Sequence, residues 1–167
     1  MIQLKNEISN LVKKHRDGGE RLCIRLNGTS DITYEYNLID GMNLFDAFPS
    51  VQFYCYTKIE NRQLIYEKIR KFPPNYHLTF SISERQKSWD EIIAMVRGGL
   101  NCAVVTTLNM DQKIPELFTT GFNIVAGRAH DFRFLDEPNS LVILSALGNA
   151  KKDTTGFVKD LNRLSLC

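Results

Sequence analysis

Several short apolar runs in this chain end in clusters of small polar and charged residues. Arg25-Leu26-Asn27-Gly28-Thr29-Ser30-Asp31 follows one run, Tyr56-Thr57-Lys58 closes a second, and His77-Leu78-Thr79-Phe80-Ser81-Ile82-Ser83-Glu84 interleaves polar residues through a third. Asn27, Thr29 and Ser30 supply donors and acceptors, Asp31 can accept from hydroxyls or a cation, and Gly28 lets the backbone approach a ligand. Thr79, Ser81, Ser83 and Glu84 add hydroxyls and a second carboxylate, so Asp31 and Glu84 are the candidate acid or base groups for catalysis. Lys58 can pair with a phosphate or carboxylate, and Arg62 lies close behind it as a second cation. Gly148-Asn149-Ala150-Lys151-Lys152-Asp153 follows the last strong apolar run, and Lys151 and Lys152 make it the best-placed anion site. The alternation from Arg128 to Asp136 predicts a strand with Asp131 and Arg133 on one face and Phe132 and Phe134 on the other. That pair suits a structural ion pair or a ligand clamp. Plainer roles compete throughout: a turn held by Asp31, a solvated Lys58, a histidine satisfied inside a strand.

Other chemistries are excluded by pattern. His77-x-Thr79 is half of a two-histidine phosphoesterase arrangement, but His15 lies on a helical stretch and His130 is followed by Asp131-Phe132. Neither a GxSxG nucleophile elbow nor a glycine-rich phosphate loop occurs. The four cysteines, Cys23, Cys55, Cys102 and Cys167, are separated by 32, 47 and 65 residues, so no CxxC pair exists. Neither a zinc ribbon nor an iron–sulfur cluster fits that spacing, and no metal or resident cofactor is expected. Three of the cysteines sit in apolar runs, where a free thiol behaves as a small hydrophobe in a reducing cytosol.

The elements that must position these groups alternate between helix and strand. At 167 residues with 43% hydrophobic content, one α/β domain over 1–167 is expected. Leu4, Ile8, Leu11 and Val12 share a face, predicting a helix over 2–16 that stops at Asp17-Gly18-Gly19. Strands are predicted at 21–26, 50–56, 76–81, 101–106, 122–126 and 141–146 from their apolar and β-branched content. Helices are predicted at 43–48, 61–71 and 85–97, the last from the Trp89, Ile92, Ile93, Val96 stripe. Brief turns are expected at 115–118 and 160–166. Strand–helix alternation argues for parallel strands with crossover helices. Six strands are too few for a closed eight-unit barrel, which leaves an open or partial barrel, with a flat doubly wound sheet as the rival. In either, the polar ends gather on the carboxyl rim of the sheet.

A net charge of +2 gives little whole-molecule attraction to nucleic acid or anionic lipid. Between Lys58 and Lys71, five Lys/Arg and two Glu make a local basic bias, either a solvated helix face or a phosphate-contacting patch. The start, Met1-Ile2-Gln3-Leu4-Lys5, is amphipathic rather than a signal sequence, and no apolar run reaches membrane length. A cytoplasmic protein without membrane contact is expected.

Residues 25–32, 48–58, 75–84 and 130–136, with Gly148 to Asp153 and Gly156-Phe157-Val158, resemble the gene-product-88-like proteins of phages and plasmids. The resemblance spans 21–158. Longer relatives carry a cysteine-rich segment ahead of the Asn-Gly-Thr-Ser-Asp strand, an arrangement similar to radical S-adenosylmethionine enzymes on a partial barrel. The resemblance implies that this chain starts at the helix after that segment, so it should do no cluster chemistry alone. Three functions follow as expectations. The first is a binding protein for an anionic small molecule such as a nucleotide, acting in a bacterial host against a defence or signalling system. The second is an enzyme, either radical-type and completed in trans or an acid/base catalyst. The third is an inhibitor that covers a host protein or nucleic acid with its surface.

Overall fold

Short, nearly continuous apolar runs form the central strands, which are buried on both faces, and helices lie between the first four strands. The architecture is seen in a computed structural model that describes residues 1–15, 18, 21–108 and 122–161. Among the described residues, four helices, α1 (Ile2–His15), α2 (Leu44–Ala47), α3 (Arg62–Glu67) and α4 (Trp89–Arg97), alternate with the first four strands. The strands are β1 (Cys23–Arg25), β2 (Gln52–Thr57), β3 (Tyr76–Ser81), β4 (Cys102–Thr106), β5 (Asn123–Ala126) and β6 (Ser140–Ser145). They form one open, all-parallel six-stranded sheet in the order β1-β2-β3-β4-β6-β5. The fold expected from the strand–helix alternation is therefore present, an α/β sheet that does not close on itself. The order is sequential until β6, which inserts between β4 and β5. The expected turn at 115–118, the glycine stop at 17 and 19, and most of the closing turn at 160–166 lie outside the described residues.

Two compact units divide the chain, Met1–Leu78 and Thr79–Cys167. In the first, Ile8 of α1 joins Leu26, Phe45, Val51, Phe53 and Tyr76 in one buried cluster. Phe45 stacks on Tyr76 at 4.0 Å between ring centroids, and Phe53 meets Phe45 edge-on at 5.2 Å. These aromatic contacts fix α2 against β2. In the second unit, Ile82, Trp89, Ile92, Val96, Cys102, Val104 and Leu141 form the core, so the α4 stripe lies on β4 and β6 as its spacing predicts. Asn101 ties the starts of β4 and β6 together, because its side-chain oxygen accepts from Ser140 N at 3.1 Å.

Three elements differ from the sequence reading, and one is α3, which ends at Glu67 instead of residue 71. The 128–136 segment is not a strand: a 3-10 turn occupies Arg133–Leu135, closed by Leu135 N donating to Phe132 O at 3.0 Å. The turn buries Arg133 and leaves Asp131 exposed, so strand-like alternation of faces is lost. Helix α4 starts at Trp89 instead of residue 85, because Ser88 caps it by accepting from Glu91 N at 3.1 Å.

Asn75 carries a disproportionate share of the first unit. Its amide donates to three carbonyls, Phe45 O, Phe48 O and Val51 O, at 3.2, 3.0 and 3.0 Å. Those acceptors span the end of α2 and the entry to β2. Asn75→Leu leaves all three without this donor in a buried setting, and we expect a loss of about 1–3 kcal/mol. Urea unfolding of the two proteins checks this through the shift in midpoint at constant slope.

Candidate functional site

Polar residues at strand ends must first satisfy their own backbone before any can serve a ligand. In the first unit they do so thoroughly. Asn27 takes a left-handed conformation at φ 56°, and its side-chain oxygen accepts from Ser30 Oγ and Ile32 N at 2.9 and 3.1 Å. Its amide donates to Ile32 O at 2.9 Å. Asp31 Oδ2 accepts from Thr57 Oγ1 at 3.0 Å and from Lys58 N at 2.6 Å, while Oδ1 accepts from Arg62 at 2.7 Å. The structure thus brings Asn27, Ser30, Asp31 and the Lys58 backbone together as a clasp between the β1 and β2 ends. Thr29 stands outside this clasp, exposed to solvent.

Arg62 holds the clasp from beneath. The guanidinium is buried and grips Glu35 with a two-pronged pair, Nε to Oε1 and Nη2 to Oε2, both 2.6 Å. Nη2 also donates to Ile32 O at 2.8 Å and to the Tyr76 hydroxyl at 3.2 Å. Burial works against its charge, but the hydrogen bonds and charge of Glu35 outweigh it and drive the Arg62 pKa upward. The Cys55 thiol contacts the Tyr76 hydroxyl at 3.0 Å, and burial raises its pKa against the opposing Tyr76 hydrogen bond. Cys102, in the second unit, is pushed up to about 12 by burial. Both thiols are protonated at neutral pH and are poor nucleophiles.

In the second unit the sequence candidates scatter. Ser83 is tied to Gln86 Oε1 through its N–H at 3.0 Å and its hydroxyl at 3.1 Å. Thr79 is fully buried, and its hydroxyl has no hydrogen-bond partner among the described residues; Ser81 is half-buried beyond it. Lys151 and Lys152 ride an exposed 3-10 turn. Arg133 is buried, donates to His130 O, and faces Asp136 at 3.3 Å, three residues further on. Its N–H donates to Asp131 O at 2.9 Å.

A cleft of about 570 Å³ opens beside these residues, walled by 87–90 on one side and by Asp153, Thr154, Gly156 and 158–160 on the other. Two local devices build it. At the start of α4, the Ser88 cap is reciprocated by Glu91, whose Oε2 accepts from Lys87 N at 3.0 Å, which is a capping box. Opposite, Asp153 accepts from Thr155 Oγ1 at 2.6 Å and from the N–H groups of Thr155, Gly156 and Val158 at 3.2, 3.1 and 3.0 Å. These bonds, the Thr155 hydroxyl first, hold its carboxyl at about 2, well below the ordinary range. Lys159 then joins the sheet past the end of β3, with its N–H on Val105 O at 2.8 Å and its carbonyl on Thr107 N at 3.0 Å.

The Lys159 side chain reaches the cleft floor. Its ammonium donates to Gln86 O and Gly156 O, both at 2.5 Å, which leaves one of three N–H donors for the cleft. Burial lowers its pKa, opposed by the charges of Glu91, Glu84 and Asp153. Glu84 therefore does lie within electrostatic reach of this floor. Trp89 completes the wall, its indole N–H on Asp160 O at 3.0 Å. Sequence reasoning missed Lys87, Trp89, Asp153 as an anchor, and Lys159. The Ser88-x-x-Glu91 signature was readable; Lys159 was not, since its acceptor Gln86 is 73 residues away.

The model of the Gene product 88 family matches residues 1–161. The chain belongs to the Gene product 88 family. No curated protein and no solved structure matches it. The family match takes in α1, the Arg62 clasp and the cleft. Among the described residues of this Gene product 88 member, no three His, Cys, Asp or Glu side chains are grouped to hold a metal ion.

Two outcomes follow. Arg62→Met leaves Glu35 buried without its counter-charge and should cost about 3–5 kcal/mol, whereas Arg62→Met with Glu35→Leu should cost clearly less. Chemical denaturation of both variants checks the difference. For Asp153, whose folded pKa is depressed, the stabilising carboxylate is present above the unfolded pKa near 4 and lost as pH falls toward 2. Thermal melts of wild type and Asp153→Asn should therefore differ at pH 6 and converge across that window.

Proposed function

We infer that this protein binds a small polar molecule carrying an anionic group, in the cleft between the start of α4 and the 153–160 segment. The observation that carries the reading is the buried Lys159 ammonium on the cleft floor with one donor left over. Lys87 lines the same mouth and adds a second cation. The volume of about 570 Å³ suits a nucleotide-sized guest. Asp90 and Asp160 also line the walls, so the guest needs donors as well as an anion. A nucleotide meets both needs, with phosphate toward Lys159 and sugar hydroxyls toward the carboxylates. Family membership is consistent with a phage-encoded protein, and a nucleotide ligand would direct it at a host signal or defence.

Differential scanning fluorimetry against mononucleotides, cyclic nucleotides and S-adenosylmethionine tests this reading. At 100 times its dissociation constant a true ligand adds about 2.7 kcal/mol, a readily measured shift in melting temperature. Lys159→Met should abolish the shift, and the exposed Lys87→Glu should weaken it without lowering the unliganded melting temperature. No shift across the panel, or a shift unchanged in both variants, overturns the proposal.

A further inference from the structure

Two backbone carbonyls do more for Lys159 than satisfy its charge. The residue is buried, yet it lines an open cleft, and Gln86 O and Gly156 O fix its side-chain nitrogen. Both acceptors are themselves held. Asp153 Oδ2 accepts from the N–H groups of Gly156 and Val158, and the Gln86 side-chain oxygen accepts from Ser83 N and Oγ. Three corners of the nitrogen's tetrahedron are thus anchored, by the carbon stem and by two N–H bonds, and the fourth is left to the cleft. In the ammonium that corner is an N–H. In the amine it is the lone pair, since the two remaining hydrogens stay on their carbonyls. Loss of one proton to water therefore leaves a nucleophile already oriented toward a guest, with no side-chain rotation left to freeze. Burial favours this neutral form, against the charges of Glu91, Glu84 and Asp153.

We propose that Lys159 is an amine nucleophile that forms a reversible imine with an aldehyde on the guest of the cleft. The inference rests on the reading that an anionic guest enters there, and it adds the class of a second group on that guest. The nitrogen attacks the carbonyl carbon, a C–N bond forms, and one nitrogen proton passes through water to the carbonyl oxygen. The C–O bond of this carbinolamine then breaks, the oxygen leaves as water with the second nitrogen proton, and a C=N bond remains. Nothing is oxidised or reduced, and addition of water reverses the step. Once protonated by water, the imine keeps one N–H for the buried Gln86 O and releases the carbonyl of exposed Gly156 to solvent. The walls suit such a guest. Lys87 at the mouth pairs with its anion, and Val158 and Trp89 supply apolar lining for the body between. Lys151 and Lys152 ride an exposed turn without such an enclosure, so an imine there is open to hydrolysis by bulk water.

The test is reductive trapping on the intact chain with pyridoxal 5′-phosphate, an aldehyde that carries a phosphate. Borohydride converts any imine to a stable secondary amine, and peptide mapping by mass spectrometry then locates it. At limiting probe the expected result is a single pyridoxyl group on Lys159, ahead of the exposed Lys13, Lys14, Lys151 and Lys152. Lys159→Arg should lose that label. Pyridoxal without the phosphate should label Lys159 more slowly, and Lys87→Glu should remove the difference between the two probes. Label spread over the surface lysines with no preference for Lys159 overturns the proposal, and so does label on Lys159 that is as fast in the urea-unfolded chain as in the folded one. Wild-type mapping decides the matter even where a variant fails to fold. The two readings fail separately. A thermal shift with nucleotides but no label on Lys159 removes the imine alone, whereas label on Lys159 with no nucleotide shift supports the imine and removes the nucleotide.

Discussion

A charged guanidinium removed from water must find acceptors for its donors, and Arg62 imposes that demand on the first unit. Its partners come from the loop after β1, the end of β2 and the first residue of β3. The pair with Glu35 is a weak source of net stability, because desolvating both ions offsets most of their attraction. What it supplies is uniqueness: an alternative path for residues 27–35 would strand a buried charge. The polar loop is therefore ordered by something beneath it, and Asn27 and Asp31 owe their geometry to that buried cation.

Lys159 performs the corresponding job in the second unit by different means. An ammonium is a compact donor without the fixed fork of arginine, and here two backbone carbonyls satisfy it. Carbonyls bring partial charge only, so burial still pulls the lysine pKa down, whereas full counter-charge drives that of Arg62 up. That contrast separates a closed structural hub from a site with capacity left. Every oxygen of Asp31 and every nitrogen of the Arg62 guanidinium is engaged, while Lys159 retains a donor where the cleft is. Arg133 is a third case: Asp136 faces it, yet its Nε and Nη1 make no hydrogen bond among the described residues.

The strands were legible because parallel strands covered on both faces must be apolar along their whole length. Asn101–Thr106 and Leu141–Ala146 could hardly be anything else, and β4 and β6 lie within them. The stripe of α4 was legible from its helical period, whereas its start was legible only from the Ser88-x-x-Glu91 capping signature, which a reading by period passes over. The site was legible in residue type but not in partnership. Asp31 and Arg62 were both read as chemically significant and both are, yet a one-dimensional reading set them beside a ligand instead of beside each other. Alternation at 128–136 misled because a 3-10 turn with buried Arg133 also places charge and aromatics in alternating positions, without pleated faces. Lys159 was invisible because its neighbours, Gln86 and Trp89, are joined to its segment only through the fold.

Net charge hides a further separation. The chain carries only +2 overall, so long-range steering of any partner is weak. Within 58–71 the excess is larger, and two of the five cations there are already committed to carboxylates. Screening limits what surface charges of this kind do to about one Debye length, which is near 8 Å at physiological salt. At that range they cannot draw a partner from afar, but they can reject a wrong one at contact, where a like charge pressed against an apolar patch loses its water.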